Sequence, residues 1–326
     1  MASAAWSSPV HEMNLVEPTY ENYMRFVTFR KNGQTRSALA VRTSTGLRAL
    51  APQEAYRVPQ DLKGLIERGR FALQEAAAVI EQYGDPVNTQ DIEFLPPVLS
   101  PGKIICVGLN YLDHTKESRF EQPSYPTLFL RVPSSMGGHE QSMIRPLCSN
   151  QYDFEGELAA IVGKGGRHIV KELALDHVAG YSVANEGSVR DFQFRSPQWT
   201  VGKNFDRSGS IGPDFVSAEE LPQGGAGLKI ETRLNGEIVQ CANTSEMVFD
   251  LATVISLVSE AMTLEPGDVI LTGTPAGVGF ARTPPLFMSA GDVIEVEVER
   301  IGILRNRIVD EVIERLPQTG AAEATP

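Results

Sequence analysis

The chain has 326 residues, enough to bury a large core, and its hydrophobic share of 42% is ordinary for a globular protein. Its 41 acidic against 29 basic residues leave a formal net charge of −12, the wrong sign for a nucleic-acid or anionic-membrane partner. Its three cysteines lack CxxC spacing, which excludes a disulfide framework and a zinc site.

No apolar run approaches the ~20 residues of a membrane span. The first twenty residues lack Lys, Arg and an apolar stretch, so the cytosol is the expected compartment.

Residues 1–22 and 317–326 read as tails without periodicity. From Met24 to Leu50 the pattern alternates as short strands around Lys31-Asn32-Gly33. Residues 60–83 predict one helix, with Asp61 as its cap, Leu62, Leu65 and Ile66 on one face, and Gly84 at its end. Leu95-Pro96-Pro97 through Pro101-Gly102 reads as a linker. The expected division is a small α+β domain over 23–98 and a main domain over 99–316.

Strands dominate the main domain. Lys103–Gly108 and Gly156–Gly163 are apolar runs of strand length, the second with Leu158, Ala159, Ala160, Ile161 and Val162. Leu228–Leu234 and Glu237–Cys241 flank Asn235-Gly236, which predicts a two-residue hairpin. A long helix is predicted over 244–262 behind an Asn243/Glu246 capping box. Val293, Val296 and Val298 among Glu295, Glu297 and Glu299 mark a half-solvated strand. The class is α+β and β-rich.

Four segments carry candidate chemistry. In Tyr152-Asp153-Phe154-Glu155-Gly156-Glu157, Glu155 and Glu157 share one face of a strand. Either they bracket a hard cation such as Mg²⁺ or Mn²⁺, or they form a solvated acidic edge. In Asn185-Glu186-Gly187-Ser188-Val189-Arg190-Asp191, Glu186 is a candidate third carboxylate and Asp191 a candidate partner of Arg190. His114 and Glu117 are i,i+3 neighbours if their segment is helical, which makes either a general base or a surface pair. Thr272-Gly273-Thr274-Pro275-Ala276-Gly277-Val278-Gly279 offers backbone N–H groups and hydroxyls to an anion, or is an ordinary turn.

Taken in order, KIICVGLNYLDHTKE, LFLRVPSSM, YDFEGELAAIVGK, GYSVANEGSVRDFQ, VGKNFD and LTGTPAGVG resemble the fumarylacetoacetate hydrolase family over residues 100–310. The resemblance implies a mixed β-roll with a smaller N-terminal domain, a homodimer, and one Mg²⁺ or Mn²⁺ per subunit on three carboxylates. It maps the metal ligands to Glu155, Glu157 and Glu186, and the proton-shuttling dyad to His114 and Glu117. Lys203 takes the place of the family's active-site lysine. Thr274, beside Gly273, takes the place of the residue that contacts the substrate carboxylate.

The sequence departs from the family's pattern twice. Glu186 stands where Asp is usual, and Arg131 replaces the usual Lys as a substrate-side cation. The implied reactions all pass through an enolate of a small keto-acid substrate. Hydrolytic C–C cleavage is the first expectation, because a base for water is available. Decarboxylation of a β-keto acid comes second and isomerisation or tautomerisation third. A metal-binding member that has lost catalysis is the non-enzymatic alternative. Neither nucleic acid nor membrane is expected as a partner.

Overall fold

The computed structural model describes residues 24–313. The expected tails, 1–22 and 317–326, lie outside the described residues. In chain order the first elements are β1 (Arg25–Lys31), β2 (Ser37–Thr43), β3 (Gly46–Ala49), α1 (Leu62–Glu67), α2 (Arg70–Tyr83), β4 (Asp85–Val87) and β5 (Ile92–Phe94). Then come β6 (Ile104–Gly108), α3 (Leu112–Glu117), β7 (Thr127–Arg131), β8 (Met136–Gly137), β9 (Met143–Arg145), β10 (Tyr152–Asp153) and β11 (Gly156–Val162). Next are β12 (Val178–Asn185), β13 (Ser188–Val189), α4 (Arg190–Gln193), α5 (Thr200–Lys203) and β14 (Gly209–Ser217). The last are β15 (Lys229–Leu234), β16 (Glu237–Asn243), α6 (Leu251–Ala261), β17 (Val269–Leu271), β18 (Val293–Val298) and β19 (Gly302–Asp310).

A 12-stranded mixed sheet runs β4-β3-β2-β1-β14-β12-β11-β17-β6-β7, with β5 on β1 and β8 on β14. A 5-stranded sheet, β16-β15-β18-β19-β9, covers part of one face, and β10 pairs with β13. The strand-rich α+β class expected from the sequence holds. β11 explains why its segment reads as an unbroken apolar run. Leu158, Ala160 and Val162 face α6 and the smaller sheet, while Ala159 and Ile161 face α1 and α2. A strand covered on both sides has no polar face to display.

The described part of the expected small domain, 24–98, shares a sheet with the main domain, because β1 pairs antiparallel with β14. Asp214 of β14 ties the junction by accepting Arg25 at 3.3 Å and Arg42 at 2.7 Å. Across the expected linker, Val98 is buried in the common core and Pro97 O accepts the Thr28 hydroxyl at 2.8 Å.

Two predicted helices are shorter than expected. The 60–83 helix breaks at Gly69, whose φ of 84° lies outside helical space. Asp61 still caps α1 by accepting the Gly64 N–H at 3.0 Å. The 244–262 helix begins only at Leu251, capped by Asp250 on the Thr253 N–H at 2.7 Å. The Asn243/Glu246 capping box forms, but on a preceding 3₁₀ turn. Asn110 is the physical reason: its carbonyl takes the Val248 N–H at 2.8 Å and its side chain takes the Phe249 N–H at 2.7 Å, drawing both out of helix.

The hairpin at Asn235-Gly236 has φ of 52° and 85°, as a type I′ turn requires. In β18 the buried side chains are Ile294, Val296 and Val298, one residue out of step with Val293. Glu295 and Glu297 turn outward and pair with Arg233 at 3.1 and 2.8 Å. Among the described residues no helix is long and apolar enough to cross a membrane.

Candidate active site and metal centre

Glu155 and Glu157 bracket Gly156 at the start of β11, and Glu186 follows β12, its neighbour in the sheet. A Cβ on Gly156 would lie 2.1 Å from the Thr232 hydroxyl, so only glycine lets the second sheet close against this point. The Glu186 N–H donates to Glu155 O at 2.8 Å, and the Glu155 N–H donates to the Asn185 side chain at 3.0 Å. These bonds fix the backbone of the cluster. Each of the three residues brings one carboxylate oxygen within 4.8 Å of the others, and all three are buried.

Their electrostatic environments differ. Burial would push Glu155 up, but Lys203, Arg190 and His114 outweigh it and hold its carboxyl well below the usual carboxylate range. Lys203 Nζ lies 2.6 Å from its Oε2, and Arg190 Nη1 lies 2.7 Å from its Oε1. Glu157 is pushed far up by burial and then by repulsion from Glu186 and Glu155. Burial also raises Glu186, against the pull of Lys203 at 3.2 Å.

This arrangement fits a divalent cation. Glu186 Oε1 is buried without a hydrogen-bond partner, and Glu157 has no ion-pair partner among the described residues. An all-oxygen donor set of this kind suits Mg²⁺ or Mn²⁺.

The wall of the pocket is built by α3. Leu109, with φ of 58°, turns the chain from β6 toward this short helix. His114 is buried and its Nδ1 is 2.9 Å from Glu117 Oε1. Glu117 in turn accepts the Gly277 N–H at 3.0 and 2.9 Å and the Val278 N–H at 3.4 Å. His114, the three glutamates, Lys203 and Thr274 all line one pocket of about 360 Å³, its open mouth included.

The glycine-rich loop does bind carboxylates, and they are the protein's own. The Gly273 N–H donates to Glu157 at 2.8 Å, the Gly277 N–H to Glu117, and the Gly279 and Phe280 N–H groups to Asp153 at 2.8 and 2.9 Å. Gly273 is therefore committed to Glu157 rather than open to a ligand. A Cβ on Gly277, at φ 108°, would lie 2.2 Å from Val239 O. Thr274 Oγ1 donates to Gly156 O at 3.0 Å and accepts from Gln240 at 2.8 Å.

Arg131 does not line the pocket. Its buried guanidinium donates to Gly187 O at 3.0 Å, to the Ser208 hydroxyl at 2.9 Å and to the Ser135 hydroxyl at 3.1 Å. One of its nitrogens lies 3.6 Å from Glu186 Oε1, so it sits behind the carboxylate cluster, not on the substrate side.

Sequence reasoning missed Asp153. It accepts Arg190 Nε at 2.8 Å, and Arg190 carries that order onward to Glu155. The candidate Arg190–Asp191 pair is not formed; Asp191 accepts the Ser149 hydroxyl at 2.6 Å instead. Asp153 sits two residues from Glu155 inside the quoted motif, but a single Asp offered no reason to prefer it. Arg190 Nη2 is buried without a partner, as is the Ser118 hydroxyl on the pocket wall.

The family model described as Fumarylacetoacetate (FAA) hydrolase C-terminal matches residues 103–309. The chain belongs to the fumarylacetoacetate hydrolase family. A Homo sapiens protein described as a mitochondrial oxaloacetate tautomerase is 38% identical over 293 residues, covering 88% of this chain and 92% of its own length. Among solved structures, a fumarylacetoacetate hydrolase from Exiguobacterium antarcticum matches with a TM-score of 0.76 at 36% identity, covering 88% of this chain and all of that one (100%). A Mycobacterium marinum 2-hydroxyhepta-2,4-diene-1,7-dioate isomerase matches with a TM-score of 0.68 at 29% identity, covering 88% and 99%. Members of this family are enzymes, described as hydrolases, isomerases and tautomerases. The fumarylacetoacetate hydrolase fold thus places His114 and the acidic cluster around one cavity, with Glu117 behind His114.

Proposed function

We propose that the chain catalyses enol–keto proton transfer on a small 2-oxo acid, with one Mg²⁺ or Mn²⁺ on Glu155, Glu157 and Glu186. The observation that carries this reading is the chain of contacts from the loop to His114. Two backbone N–H groups fix Glu117, and Glu117 fixes Nδ1 of His114, leaving Nε2 as the proton-exchanging atom of a buried pocket. Histidine is the residue type suited to exchanging protons near neutral pH.

A divalent ion on the glutamates would supply Lewis-acid polarisation of the 2-oxo group. The protein's own residues do the rest. Arg190 Nη2 is the buried donor left for the substrate carboxylate. During ketonisation the enol O–H bond breaks and its electron pair forms the C2=O π bond, while the C2=C3 π bond breaks and its pair takes up a proton to form the C3–H bond. His114 Nε2 is the group placed to carry that proton, and the reverse step runs through the same atom. No oxidation occurs and no second substrate is needed.

Hydrolysis was the first expectation from the sequence. Similarity to an oxaloacetate tautomerase along nearly its whole length favours proton transfer over it. Carbon–carbon hydrolysis remains the second reading, supported by the 36% identity to a fumarylacetoacetate hydrolase. The test presents enol-oxaloacetate and a 2,4-dioxo acid to the metal-loaded protein. Faster loss of enol absorbance without CO₂ or cleavage products is expected. Cleavage of the dioxo acid with no effect on the enol would establish the second reading, and CO₂ release would establish a decarboxylase. The reading includes a homodimer in the cytosol, and a monomer mass by light scattering would overturn the assembly.

A further inference from the structure

Two aromatic files run from the mouth of the pocket to its charged floor. In one, Phe120 stands 6.3 Å from Trp199, Trp199 stands 5.5 Å from Phe129, and Lys203 Nζ lies 5.2 Å above the Phe129 ring. In the other, Phe194 stands 5.5 Å from Phe280, and the Arg190 guanidinium lies 4.4 Å above the Phe280 ring. The inner members are thus anchored to the cations that hold Glu155. The outer members, Phe120 and Phe194, both line the pocket yet are 40% and 46% exposed. Large apolar side chains left open at the rim of a cavity gain by being covered.

The charge on the pocket wall points the same way. Its lysine and arginine, Lys203 and Arg190, are each paired with a glutamate. Arg190 Nη2 is the one buried nitrogen of these two residues without a partner, which is enough for one carboxylate. A second carboxylate at the far end of a ligand would meet aromatic rings. Two further polar side chains on this wall are neutral: Gln193, which accepts from Arg190 at 2.8 Å, and Ser118, whose buried hydroxyl has no partner.

Resting on the 2-oxo acid reading above, we propose that the mouth is a distal subsite for an apolar, planar substituent. The substrate class is then a 2-oxo monocarboxylate with an aryl or unsaturated hydrocarbon end, rather than a four-carbon dicarboxylate. The carboxylate and oxo group occupy the charged floor, and the hydrocarbon end lies between Phe120 and Phe194, with Trp199 beside it.

Phenylpyruvate and oxaloacetate are the matched probes, both enolisable 2-oxo acids differing at the distal end. Binding is read from Trp199 emission in a full-length Trp6→Phe protein loaded with Mn²⁺, since Trp6 and Trp199 are the chain's 2 tryptophans. Turnover is read from enol absorbance. Phenylpyruvate should bind more tightly than oxaloacetate, and Phe120→Ala and Phe194→Ala should each weaken its binding about 3- to 10-fold. Mn²⁺ affinity, measured on the same variants, reports that the site is still folded. Variants that bind phenylpyruvate as well as wild type, or a wild type that prefers oxaloacetate, would overturn the subsite. Phenylpyruvate binding that weakens in both variants without turnover of either acid would sustain the subsite and defeat the proton-transfer reading.

Discussion

The Glu117 carboxylate accepts the Gly277 N–H through both oxygens, at 3.0 and 2.9 Å, while one of the same oxygens meets His114 Nδ1 at 2.9 Å. One carboxylate therefore locks the helix to the loop and orients the imidazole. Glu117→Gln keeps the shape but offers a single acceptor oxygen and loses the charge. Hydrogen exchange across Leu109–Gln122 should accelerate, and turnover should fall by about 10- to 100-fold. Unchanged exchange in that segment would show that the latch does not hold it.

His114→Gln should lower enol–keto turnover by about 10²–10⁴-fold, the usual loss on removing a positioned general base. Mn²⁺ affinity should change far less than on loss of a glutamate of the cluster, because among the described residues the carboxylate within ion-pair distance of His114 is Glu117. Calorimetry and enol absorbance together check this. A variant at full rate would remove His114 from the mechanism.

Glu157 makes the sharpest metal test. It is buried, repelled by two neighbours, and held by a backbone N–H without a paired cation. Glu157→Gln should weaken Mn²⁺ binding by at least about 100-fold. The same change should leave the metal-free protein as stable as wild type or more so, because a neutral amide replaces a costly charge. Titration calorimetry and thermal melts with chelator measure the two halves. A variant that melts early without metal would make Glu157 a structural residue.

His139, which does not line the pocket, sets a pH dependence of its own. Burial lowers its pKa from 6.5 to about 4, its Nδ1 accepts the Arg305 N–H at 3.1 Å, and Phe94 packs on it at 5.0 Å. The folded value lies below the unfolded one, so between those values the unfolded chain binds more protons. The His139 contribution is complete above pH 6.5 and declines as pH falls toward 4, by on the order of 2 kcal/mol. Melting curves over that range should be steeper in pH for wild type than for His139→Gln. Parallel curves would contradict it.

Much of the strand framework was legible because burial leaves a mark in one dimension. β11 reads apolar throughout since both faces are covered, and Asn235-Gly236 can scarcely be anything but a tight turn. The acidic cluster was legible for the same reason, as carboxylates entering a buried strand need an explanation. Helix lengths were not, because Asn110, more than a hundred residues away, decides where α6 begins. Arg131 was misread as a substrate contact since a sequence gives its charge but not its direction. Asp153 was invisible because its importance lies in donors contributed by Gly279, Phe280 and Arg190.

The pairing of β1 with β14 separates two kinds of boundary that are easily equated. Similarity to the family model begins at residue 103, yet a protein expressed from there would strip β1 from the sheet. Residues Val216, Phe215 and Asp214 of β14 would face water with unpaired backbone groups, and α1 and α2 would no longer cover Ala159 and Ile161. Such a fragment invites edge-to-edge aggregation. Chimeras between relatives should therefore exchange β1 and β14 together, treating the folding unit as larger than the segment the family model matches.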